Sequence, residues 1–143
     1  MKITKEITFD MAHMLSNYSG KCANLHGHTY RLQVTLESKV NEETCMLLDF
    51  NVLKKILNEE VMEKFDHSVA FSDSKFRGGA EKELYDWAIK YEMNFVVIPN
   101  GKTTCEVMAP YIRDCIADSL LKRNIKAEVS VKLWETPTSF AEC

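Results

Sequence analysis

Apolar and polar residues alternate along residues 3–13. Ile3, Ile7, Phe9, Met11 and His13 share one parity; Thr4, Glu6, Thr8 and Asp10 share the other. Successive side chains of an extended chain point to opposite faces, so this period predicts a half-buried strand. Lys5 is the one charge on its apolar side. The pattern returns over 28–37, where Tyr30, Leu32, Val34 and Leu36 alternate with Arg31, Gln33, Thr35 and Glu37. After a turn-like stretch, Ser38 to Thr44, the run Cys45 to Leu48 reads as a short third strand. Residues 127–136 give a fourth, with Ala127, Val129, Val131, Leu133 and Glu135 on one face.

Two stretches carry helical spacing instead. Leu53, Ile56, Leu57, Val61 and Phe65 predict a helix over 52–65, capped by Asp49 or Asn51. Met108, Ile112, Ile116 and Leu120 form a stripe on a second helix over 104–123. Thr103 and Glu106 match a capping box at its start. Residues 72–101 are less regular and predict a short helix over 81–91, an extended run Phe95–Ile98 and a turn at Pro99-Asn100-Gly101. The order implies a single α+β domain over 1–143, with the helices on one face of a sheet.

Composition narrows the function classes. A chain of 143 residues fits one modest core. A net charge of −3 without any basic run removes the electrostatic case for nucleic acid. The opening MKITKEITFD is broken by charge and reads as neither signal peptide nor membrane span, which leaves the cytoplasm as the expected location. Five cysteines, with no C-x-x-C, argue against a disulfide framework.

The stretch C-A-N-L-H-G-H, Cys22 to His28, changes the picture. His26 and His28 are two apart, so on a strand they share a side. His13 lies on the apolar face of the first strand. If the strands pair, three imidazoles converge at one end of the sheet's inner face. A lone histidine on an apolar face is ordinarily a hydrogen-bonded core residue; three on matching parities suit Zn²⁺ and leave a position open for water or substrate, the catalytic arrangement. Cys22 as a fourth ligand would close the site and make it structural. Asp66-His67 reads either as a helix end with a solvated histidine or, if His67 reaches Cys22, as part of a Cys–His–Asp set supplying a thiolate base or nucleophile. Glu135 stands where an apolar strand residue is expected. Either the strand has reached solvent there, or the carboxylate has a partner, such as the adjacent N–H donors of a nitrogen heterocycle.

These residues resemble the 6-pyruvoyltetrahydropterin synthase / 6-carboxytetrahydropterin synthase family. The shared pieces are F-D-M-A-H at His13, C-A-N-L-H-G-H, L-L-D-F at Leu47 to Phe50, D-H at Asp66-His67, T-T-C-E ending at Glu106 and W-E-T ending at Thr136. The resemblance implies a tunnelling fold: a four-stranded antiparallel sheet with two long helices on one face, closing into a barrel on oligomerisation. It implies a homohexamer, a dimer of trimers, with active sites at subunit interfaces. It assigns His13, His26 and His28 to Zn²⁺, and Cys22, Asp66 and His67 to a catalytic triad. Glu135 becomes the pterin anchor, with Glu106 and Thr104 beside the substrate.

Only three residues separate Cys22 from His26, a compact spacing that looks like the 6-carboxytetrahydropterin synthases of queuosine (7-deazaguanine) biosynthesis. The implied reaction turns 7,8-dihydroneopterin triphosphate into 6-carboxy-5,6,7,8-tetrahydropterin, acetaldehyde and triphosphate. The alternatives are 6-pyruvoyltetrahydropterin synthesis by triphosphate elimination and a non-catalytic pterin- or zinc-binding protein. The stretch Ser72 to Lys102 is longer than the shortest members carry, and is expected as a lid or an extra interface near the pocket.

Overall fold

The structure is a computed structural model describing residues 1–143. Its elements are β1 (Lys2–His13), β2 (His26–Glu37), α1 (Phe50–Leu57), α2 (Glu63–Phe65), β3 (Ser68–Ser72), α3 (Gly79–Lys90), β4 (Phe95–Ile98), α4 (Cys105–Lys122), β5 (Glu128–Thr136) and β6 (Ser139–Glu142). A π-helical stretch, Asn58–Met62, joins α1 to α2, so residues 50–65 form one helical run. Asp49 caps it, its side chain accepting from Asn51 N at 2.7 Å.

The sheet has six strands in the order β4-β3-β1-β2-β5-β6. This corrects the four-stranded antiparallel sheet expected above. β1, β2, β5 and β6 are antiparallel neighbours, whereas β3 runs parallel to β1 and β4 parallel to β3. β3 shows no alternation because four of its five residues are buried, as in a strand covered on both faces. The extended run Phe95–Ile98 is present as β4. β6 is a four-residue return after the turn at Pro137, too short to show a period.

Cys45 to Leu48 is not a strand. The Asn41 side chain accepts from the amides of Glu43 and Thr44, Cys45 takes φ +55°, and Asn41 N donates to Met46 O at 2.8 Å. Such an Asx-type reversal wins over a short apolar run. Leu47 and Leu48 still pack against the core, as loop residues.

The two helical stripes behave as their spacing predicts. Leu53, Ile56, Leu57, Val61, Phe65, Met108, Ile112, Ile116 and Leu120 are all buried, in one cluster with Tyr30, Leu32, Val34, Leu36, Val131 and Leu133. Truncating one of these Leu or Ile side chains to Ala costs about 2–5 kcal/mol. This packing holds the end of β1 beside the start of α4, where the histidines lie. No helix is long and apolar enough to cross a membrane.

Candidate metal centre and active site

Antiparallel register places His13, the last residue of β1, opposite His26, the first of β2. The strand period then returns His28 to the same side. Ring centroids lie 4.6 Å apart for His13–His26, 4.9 Å for His26–His28 and 5.3 Å for His13–His28. One nitrogen from each ring comes within 4.8 Å of the other two, so the trio can hold a metal ion.

Backbone carbonyls orient two of the rings. The Nδ1–H of His13 donates to Thr103 O at 2.8 Å, and that of His26 to Asn24 O at 2.8 Å. Each bond leaves Nε2 as the ligating atom, the usual support for a metal-binding histidine. His28 Nε2 is buried with no hydrogen-bond partner in the chain. Burial pushes His13 and His28 below the ordinary histidine pKa, which favours the neutral form a metal requires. Three imidazoles, one of them with an orphaned nitrogen, fit Zn²⁺ and leave a position open. Cys22 stands outside this set.

Glu135, on β5, comes 3.4 Å from His13 Nε2 and 3.9 Å from His28 Nε2. Its side chain is 31% exposed, so β5 has not run out into bulk solvent at this point. Tyr30, an alternating core residue by sequence, also reaches the site: its hydroxyl is 3.4 Å from His13 Nε2. Burial pushes that hydroxyl above the usual tyrosine pKa. No sequence signal separates Tyr30 from its core neighbours; only depth along β2 does.

His13, Tyr18, Cys22, Thr104, Glu106 and Glu135 line one cavity of about 340 Å³. Cys22 sits on a single 3₁₀ turn, Lys21–Ala23, between β1 and β2. Buried Cys105 shares the cavity wall, and burial, aided by the charge of Glu135, pushes its thiol up to about 12. Thr104 is the N-cap residue of α4 but makes no side-chain capping bond. The expected capping box does not form, because the Thr103 hydroxyl donates instead to Met14 O at 3.2 Å. Glu106 is thus exposed to the cavity rather than folded back on the helix.

Asp66 and His67 are in contact, Oδ2 to Nδ1 at 3.0 Å. Asp66 Oδ1 accepts from Asp10 N at 2.9 Å, and that bond holds its carboxyl below the usual range. His67 takes φ +56°, and its side chain is 77% exposed. It lines a different cavity, of about 430 Å³, with Asp10, Gly27 and His28. Within one chain, then, Cys22 and His67 open onto separate cavities. Residues 72–102 line neither of them within one chain.

Fold and site together define a small α+β protein with a three-histidine cluster that could hold a metal ion at the end of its sheet, facing a pocket that offers a thiol and carboxylates. The sequence profile described as 6-pyruvoyl tetrahydropterin synthase matches residues 2–143, and the chain belongs to that family. It is 37% identical over 145 residues to a Haemophilus influenzae protein named 6-carboxy-5,6,7,8-tetrahydropterin synthase, covering 99% of this chain and 96% of the relative. A Rickettsia bellii protein of the same name is 30% identical over 142 residues, covering 99% of each. Among solved structures, a Plasmodium vivax 6-pyruvoyltetrahydropterin synthase bearing a catalytic-residue substitution shares the fold at TM-score 0.75 and 17% identity, covering 100% of this chain and 96% of that one. The Caenorhabditis elegans 6-pyruvoyl tetrahydropterin synthase does so at TM-score 0.69 and 21% identity, covering 100% and 94%.

Proposed function

We propose that this single-domain chain is a zinc-dependent 6-carboxy-5,6,7,8-tetrahydropterin synthase. The observation that carries the reading is one cavity wall joining His13 of the metal trio to Cys22 and Glu135. The names of the Haemophilus and Rickettsia relatives support it. The substrate is 7,8-dihydroneopterin triphosphate, which with water gives 6-carboxytetrahydropterin, acetaldehyde and triphosphate. The ring gains two hydrogens while its side chain is oxidised, so the electrons balance within the substrate. Queuosine (7-deazaguanine) biosynthesis in the cytoplasm is the setting this product implies.

Each residue has a separable task. Glu135 accepts paired hydrogen bonds from the pterin N–H groups and fixes the ring, with Thr104 and Glu106 beside it. His13, His26 and His28 would hold a zinc ion, which would supply Lewis acidity toward the substrate's side-chain oxygens. Cys22, as thiolate, removes the proton from the side-chain carbon next to the ring. His67, oriented by Asp66, moves protons to and from the substrate side chain. Because Cys22 and His67 open onto different cavities, the triad is completed between two copies, His67 of one meeting Cys22 of the next. The terminal strands β4 and β6 offer edges for such pairing, consistent with a barrel-forming trimer and a homohexamer.

Product analysis with zinc-loaded protein tests the reading. Acetaldehyde and 6-carboxytetrahydropterin in equal amounts are expected. Formation of 6-pyruvoyltetrahydropterin without acetaldehyde overturns it in favour of simple triphosphate elimination, the activity named by the Plasmodium and Caenorhabditis neighbours. Tight pterin binding without turnover overturns it in favour of a binding protein.

A further inference from the structure

We propose that residues 72–102 buttress the loop carrying Cys22, and that Glu81 is the positioning residue through which they do so. This rests on the role given to Cys22 above. Glu81 lies in the first turn of α3 and is fully buried. A carboxylate there must be satisfied by donors. It has two: Ser72 N at 2.7 Å on Oε1, and the Ser16 hydroxyl on Oε2. The first comes from the end of β3. The second belongs to the loop between β1 and β2, the loop on which Cys22 sits.

Ser16 is itself nearly buried and is gripped from the same segment at every polar atom but its amide nitrogen. Its hydroxyl accepts from Gly78 N at 3.3 Å and also has Gly78 O as an acceptor at 3.0 Å, and its carbonyl accepts from Lys102 Nζ at 2.7 Å. One residue earlier, Leu15 N donates to Cys22 O at 2.9 Å and closes residues 15–22 on themselves. The loop is thus a closed ring of chain held at its base, with Cys22 at the closing bond. Two cations of the segment serve the same frame: Arg77 donates to Ser72 O at 2.9 and 3.1 Å, and Lys102 to the Ser16 carbonyl. The two oxygens of one carboxyl bridge the end of β3 and the β1–β2 loop, which a side chain with a single acceptor atom does not do. The segment stands behind the loop rather than over the pocket, since none of it lines the Cys22 cavity.

The test separates the tether from folding and from the reaction. Glu81→Ala strands Ser72 N without a partner and risks the fold, so Ser16→Ala, which leaves that bond intact, is the primary variant, with Glu81→Gln as the conservative one. In Ser16→Ala, amide exchange over residues 15–24 should rise about tenfold or more while exchange in β1 and β2 and zinc content stay at wild-type values. With 7,8-dihydroneopterin triphosphate, kcat should fall about 10–100-fold with KM nearly unchanged, the signature of a misplaced base rather than lost binding. Glu81→Gln should lie between Ser16→Ala and wild type. Unchanged loop exchange overturns the tether. Faster loop exchange with unchanged kcat overturns the positioning role. A wild-type protein inactive on this substrate removes the function proposed above and with it the positioning role, while loop exchange still decides the tether.

Discussion

The Nδ1–H of His13 donates to the carbonyl oxygen of Thr103, 2.8 Å away across 90 residues of sequence. The bond ties the end of β1 to the residue before the N-cap of α4. It also turns Nε2 of His13 toward Glu135 and His28. The backbone of Thr103 accepts from His13 while its hydroxyl donates to Met14 O at 3.2 Å, so one residue holds the end of β1 twice and aims the His13 ring.

The metal trio gives the first prediction. Purified protein should hold one zinc per chain, and His26→Ala should weaken zinc affinity by more than about 100-fold, beyond the loss typical of an outer support. Elemental analysis after dialysis reads this directly. Full occupancy in the variant would contradict the ligand assignment.

Cys22 and His67 give the second. Cys22→Ala should keep its zinc and fold, while turnover falls about 10²–10⁴-fold, the scale of a lost general base. His67→Ala should fall similarly. Unfolding and reassembling the two variants together should restore turnover that neither has alone, because some interfaces then pair an intact Cys22 with an intact His67. Mixed oligomers with no recovery would place the two residues in one chain's site after all.

Asp66 gives a pH-dependent prediction. Its folded pKa is lowered, chiefly by the Asp10 N–H and further by His67, so the unfolded chain binds the proton more readily. The resulting stabilisation is present above the ordinary carboxylate value of 3.8 and is lost as pH falls through the lower folded value. Asp66→Ala should melt about 2–5 °C below wild type near neutral pH, with the gap closing below pH 3.8. A constant gap down to pH 2.5, measured by circular dichroism, would show that the carboxylate charge is not its source.

The thiols give the fourth. With its thiol pushed up to about 12, Cys105 should react with iodoacetamide at pH 8 roughly 10³-fold more slowly than exposed Cys45. Peptide mapping by mass spectrometry separates the sites. Comparable labelling of Cys105 in the folded protein would mean that the pocket wall opens.

Much of this molecule is legible in one dimension because its periods are clean. Strand alternation over 3–13 and 28–37 already carries the convergence of His13, His26 and His28, since parity and antiparallel pairing are local consequences of an extended backbone. Helical spacing alone picks out the buried stripes of residues 50–65 and of α4. Family motifs then single out Cys22, Asp66-His67, Glu106 and Glu135, whose roles are those proposed above.

What sequence by itself determined here is therefore the strands and helices with a single buried face, and the three histidines that cluster at the end of the sheet. Tertiary structure decided everything that depends on contacts between distant segments. β3 lacks alternation because both its faces are covered. Thr103 abandoned its capping role for the Met14 carbonyl, Tyr30 came to the three-histidine cluster, and Glu81 found Ser16. Each is a competition between a local preference and a long-range hydrogen bond or burial. Local preferences amount to tenths of a kcal/mol up to about one, and a buried polar group left unpaired costs about 1–3, so the distant partner wins.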